Sequence, residues 1–144
     1  MAKFDPAKAA KWIVANHKDK SAGICATYVR RALEAGGLDT TGHPVNARDY
    51  GPFLLGRGFE KIADATPSLS GDVVVIQPYL GADPAGHIAM YSGTGWVSDF
   101  AQRDFWGGPG FRTKQPAHQF LRWKPPAPAA AATATPTPVS TQAR

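Results

Sequence analysis

The sequence predicts an α+β domain whose helices come first and whose strands follow, and three features of the 144 residues carry that expectation. Helical spacing of apolar residues is confined to the first part of the chain. A β-branched run, Gly71-Asp-Val-Val-Val-Ile-Gln77, is opened by a turn and stopped by Pro78, so it reads as a buried central strand. Further on, Gly93-Thr-Gly95 separates two apolar segments and spells a hairpin turn.

Asp5-Pro6 marks the first helix start, since Asp caps free N–H groups and Pro suits the first helical position. The helix runs from Pro6 to His17, with Trp12, Ile13 and the alanines as its apolar side. A second helix spans Cys25 to Ala35, where Tyr28, Val29, Ala32 and Leu33 recur at helical spacing and Gly36-Gly37 ends it. Ser21 is a candidate cap for it. Asn46 can cap a third, short helix through Asp49, Tyr50, Phe53 and Leu54, closed by Gly56 or Gly58. Phe59 to Ile62 reads as a short strand, His87 to Ser92 and Trp96 to Phe100 as the two arms of the hairpin, and Gln119 to Trp123 as the last strand.

The domain therefore covers residues 1–124. Residues 125–144 consist of Pro, Ala, Thr and Ser with almost no large apolar side chain; such a segment cannot offset its ordering entropy and is expected to be a disordered tail. No apolar run approaches the roughly 18 residues of a membrane span, and the first residues lack the apolar stretch of a signal peptide. The expectation is synthesis in the cytoplasm without Sec export and no membrane insertion. The net charge of +5 favours a polyanionic partner such as nucleic acid, an anionic membrane surface or a carboxylate-rich cell wall. Seven of the sixteen basic residues lie in the first 31 positions, without the aromatic interleaving of an RNA-binding sheet, so nucleic acid is not the expected partner.

Chemistry concentrates around the single cysteine. Cys25 sits in Ser21-Ala-Gly-Ile-Cys-Ala-Thr-Tyr-Val-Arg30, where a turn gives way to a helix, and the field at a helix N-terminus is expected to lower its pKa. One cysteine permits no internal disulfide. Of the four histidines, His17, His43 and His118 read as a helix-end, a loop and a strand-start residue. His87 differs because Gly86 before it allows close approach of another backbone or a substrate. Asp99, twelve residues on, can come near it across the hairpin and hold one imidazole tautomer, with Asp104 as a weaker candidate. No HExxH or Cys/His cluster points to a metal, and no cofactor is expected. Tyr50, Trp96, Trp106 and the Gly107-Gly-Pro-Gly110 loop are candidates for a groove wall, each equally able to be core or turn.

The order of these motifs resembles the CHAP and NlpC-type amidases of the papain-like cysteine peptidase superfamily. Cys25-Ala-Thr-Tyr-Val29 is similar to the nucleophile helix, Gly71-Asp-Val-Val-Val75 to the strand that follows it, and Gly86-His-Ile-Ala-Met-Tyr-Ser-Gly93 to the histidine strand. The resemblance covers residues 21–100 and implies a papain-like fold and hydrolysis of an amide bond in bacterial peptidoglycan. It makes Cys25 the nucleophile, His87 the general base and Asp99 the polar third member. Ile24 stands where the family has an acidic or polar residue, which leaves the second oxyanion donor unassigned.

The compact size and the Ser-x-Gly-x-Cys-Ala opening are similar to amidase effectors of type VI secretion, which act in the periplasm or wall of a target bacterium and have a cognate immunity protein. A small phage endolysin is similar in the same respects. The scissile bond is expected in the stem peptide or cross-link, with the sugar-to-peptide amide as alternative, because a cleft between a helix N-terminus and a sheet edge suits an extended peptide and a basic protein attracts the stem's carboxylates. An inert cell-wall-binding module with Cys25 merely buried is the reading from another class, and resistance of the thiol to iodoacetamide is the expected way of separating the two.

Overall fold

The computed structural model describes residues 4–20 and 23–124; the tail 125–144 and the cap candidate Ser21 lie outside the described residues. Helix α1 (Pro6–Asn16) starts where the sequence places it, with Asp5 accepting from the Lys8 N–H at 3.2 Å and Pro in the first turn. It buries Ala9, Ala10 and Ile13. Helix α2 (Cys25–Ala35) buries Val29, Ala32 and Leu33 against the same core. Gly36 lets the two helices meet closely, because a Cβ there would lie 2.6 Å from the Phe4 ring and 2.8 Å from the Asp5 carbonyl.

Five strands follow: β1 (Phe59–Ile62), β2 (Val73–Ile76), β3 (His87–Tyr91), β4 (Trp96–Val97) and β5 (His118–Trp123). They form one antiparallel sheet in the order β1-β5-β2-β3-β4. The β-branched run is the central strand, buried along its whole length. Alternation along the strands then makes two cores. Val73, Val75, Ile88, Met90 and Leu121 face the helices, while Val74, Ile76, Ala89 and Phe120 pack with Trp96 and Trp106 on the other side.

Three elements depart from the sequence expectation. The helix expected from Asn46 is a 3-10 turn (Ala47–Asp49) leading into α3 (Tyr50–Leu55), and the Asn46 side chain makes no capping bond. The second arm of the hairpin stops at Val97 because the chain turns back on itself, with Ser98 N–H donating to the Phe100 carbonyl at 3.0 Å. The Gly-rich loop is shorter than its composition implies: Pro109 opens α4 (Pro109–Lys114), which ends at Gln115 with a left-handed φ of 48°. Pro is preorganised for a first helical turn, and that local preference outweighs the neighbouring glycines.

Candidate active site

Cys25 and His87 are brought to one end of the sheet, from opposite layers. Packing of α2 on β3 sets the Cys25 thiol against the backbone N–H of Ile88, which belongs to the peptide joining His87 to Ile88. The N–H groups of Cys25 and Ala26 also face the sulfur. These donors favour a thiolate, as does a helix N-terminus in general. Burial outweighs them, and the nearby Asp99 charge opposes them too, so the thiol is pushed up to about 11. The lowered pKa expected from the sequence is therefore corrected: exclusion of water costs the thiolate more than the oriented N–H groups return.

His87 opens β3 opposite Ile76. Gly86, at φ 74°, is needed before it, since a Cβ would sit 2.5 Å from the Ile76 carbonyl oxygen and 3.0 Å from Arg48 Cβ. Burial holds the imidazole below its usual range, against the opposing pull of Gln102 and of the Asp99 charge. Burial thus disfavours the charged form of both groups. The ring lies under the segment that follows β4: its Nε2 is 2.7 Å from Gln102 Oε1, and the Phe111 ring centroid is 5.8 Å away.

Asp99 stands at the bend after β4, buried, with its charge acting on both Cys25 and His87. Its Oδ2 accepts from the Ile24 N–H at 3.1 Å and its Oδ1 from the Ser98 hydroxyl at 3.1 Å. Its carbonyl accepts from the Lys18 N–H at 2.7 Å. Asp99 thereby ties the entry of the cysteine helix to the hairpin. Asp104 lies further along and is occupied by Arg112, whose Nε is 2.6 Å from Oδ2.

The groove-wall candidates fall inside the protein. Tyr50, Trp96 and Trp106 are 1%, 9% and 8% exposed; Tyr50 joins the helical core and the two tryptophans the opposite one. Sequence reasoning missed Gln102, Tyr79 and Phe111. No motif marks them, because each reaches the site from an irregular segment or a short helix. Among the described residues, no group of three or more His, Cys, Asp or Glu is placed to hold a metal ion, and no helix is long and apolar enough to cross a membrane.

No protein-family model matches the sequence, and no curated protein matches it. Two solved structures do. One is the native type VI effector–immunity complex Tae3–Tai3 from Ralstonia pickettii, similar at 40% identity and a TM-score of 0.76 over 84% of this chain and 100% of that one. The other is the selenomethionine form of that complex, at 41% identity and a TM-score of 0.71 over 78% and 97%. With identity at that level over the full length of the matched chain, and with the α+β architecture in common, this chain belongs to the Tae3 family of type VI effectors.

Proposed function

We propose that the protein is an antibacterial cysteine amidase that cleaves an amide bond of peptidoglycan, in the stem peptide or the cross-link. The observation that carries the reading is the seating of the lone thiol, at a helix N-terminus, on the peptide that holds His87. A cysteine helix packed on an antiparallel sheet with histidine at a strand start supports a papain-like assignment of CHAP or NlpC type. Membership of a type VI effector family supports delivery into another bacterium and a cognate immunity protein as partner.

In the proposed mechanism, His87 takes the proton of the Cys25 thiol as the sulfur attacks the scissile carbonyl. Burial works against a stored thiolate, which gives His87 the task of removing the proton for the attack. Backbone N–H groups at the start of α2 hold the oxyanion. The imidazolium, stabilised by the Asp99 charge, returns its proton to the leaving amine as the C–N bond breaks. Water then attacks the thioester, releasing the new carboxylate and restoring the thiol.

Mass spectrometry of muropeptides tests this. Wild-type protein should release cleaved stems or cross-links, and Cys25→Ala should release none while keeping its thermal transition. Turnover near wild type by folded Cys25→Ala protein would end the cysteine-amidase reading. Intact stems freed from muramic acid would move the scissile bond to the sugar-to-peptide amide and leave the mechanism standing. The raised thiol pKa favours a second reading, an inert wall-binding module. Hydrolysis separates the two most directly, because only the amidase reading requires bond cleavage.

A further inference from the structure

The side of His87 turned away from the helices is built by residues 102–112, and their hydrogen bonds fix more than position. Gln102 donates from its Nε2 to the Asp104 carbonyl at 2.9 Å and, more weakly, to the Phe105 carbonyl at 3.4 Å. Carbonyls only accept, so the amide nitrogen must face them and the amide oxygen must face His87. That oxygen, 2.7 Å from His87 Nε2, can itself only accept. Nε2 therefore carries the proton of the neutral ring, and Nδ1 keeps the lone pair.

The carbonyls are in turn held. Asp104 Oδ1 accepts from the N–H groups of Trp106 at 3.1 Å and Gly107 at 3.3 Å, and Arg112 grips the same carboxylate through Nε and a terminal nitrogen at 2.6 and 3.2 Å. Gly107, at φ 80°, brings this turn onto the ring: a Cβ there would stand 2.5 Å from His87 Nε2 and 3.1 Å from Gln102 Cδ. Phe111, braced by the edge of Tyr79 with centroids 5.1 Å apart, lies beside the imidazole.

We infer that Gln102 is the positioning residue that makes Nδ1 the basic nitrogen of His87, and that the Asp104–Arg112 pair holds the turn that orients the Gln102 amide. The inference rests on the reading of His87 as the base, but its primary readout does not need turnover. A neutral amide is well matched to this role, because it selects one tautomer without adding a second negative charge beside Asp99.

The test uses the full chain labelled with 15N-histidine. Long-range proton–nitrogen correlation should show His87 as the Nε2–H tautomer in the wild type. Gln102→Leu, of similar volume but without an acceptor, should mix the tautomers and lower kcat on soluble muropeptides by on the order of 100-fold with little change in KM. Gln102→Glu should keep the Nε2–H tautomer and most of kcat, while its charge moves the acidic limb of the kcat/KM profile to higher pH. A wild-type ring protonated at Nδ1 would overturn the inference even if no variant folds. So would a folded Gln102→Leu protein with wild-type tautomer and turnover. Loss of the tautomer effect with hydrolysis intact sinks this inference alone, whereas correct tautomers with no Cys25-dependent hydrolysis sink the amidase reading alone.

Discussion

The two sides of the candidate site are built by different physics. The Cys25 side is periodic: α2 packs on β3 and α1 and buries Val29, Ala32 and Leu33 in the core they share, and the thiol goes wherever that packing puts the helix start. The His87 side is aperiodic: a bend, a turn and a short helix are tied together by Gln102, Asp104, Gly107 and Arg112. Apolar packing is strong but non-directional, and hydrogen bonds are weaker but set angles. The nucleophile side should therefore fail through stability, and the base side through geometry.

Gly107→Ala is the most direct way to break the comparison. The added methyl meets the His87 ring and Gln102, and φ at that position is one L side chains rarely adopt. Turnover is expected to fall by about 100-fold or more, since misplacement of a reacting group by a fraction of an ångström to an ångström has that scale of effect. The measurement is kcat on soluble muropeptides beside a thermal melt. Turnover at the wild-type level would show that the turn does not set the ring.

On the other side, Leu33→Ala empties a position that is 0% exposed and should cost about 2–5 kcal/mol in stability. Denaturant unfolding checks it, with turnover per folded molecule expected to stay within a few-fold of wild type. A large loss of kcat without loss of stability would erase the division between the two sides.

The smallest effect is in pH. The folded His87 pKa lies below its unfolded value, so between the two the unfolded chain binds a proton that the folded one does not. Stability should be whole above about pH 6.5 and be lost progressively as pH falls below it. Cys25 does the reverse at the alkaline end: its folded pKa of about 11 lies above the ordinary thiol value of 9.0, so stability is whole below 9.0 and is lost as pH rises toward 11. Melting curves of His87→Gln and Cys25→Ser proteins should each flatten one limb only. Equal acid limbs in the wild type and His87→Gln would place the proton uptake elsewhere.

The bend after β4 shows which part of a site strand spacing can place. Asp99 lies at the right end of the hairpin, as its separation from His87 implies. A strand continued through Phe100 would have paired it regularly across β3, yet the turn at Ser98 instead hands its carboxylate to the Ile24 N–H. Asp104 is paired with Arg112, and Gln102 meets the ring directly while Asp99 acts on it through its charge.

By itself the sequence determined α1, α2, the central β-branched strand and the glycine hairpin, because periodicity, caps and β-branching act over a few neighbouring residues and need no partner to be read. It also singled out the thiol and the histidine that the fold brings to one end of the sheet. What surrounds that pair, and the direction in which burial moves its titration, came with the closed fold. Burial reversed the expected direction of the Cys25 pKa, put Tyr50, Trp96 and Trp106 into cores, and set Gln102 on His87. Desolvation and hydrogen-bond direction depend on what the rest of the chain excludes and where it points its dipoles, and neither quantity exists until the layers have closed.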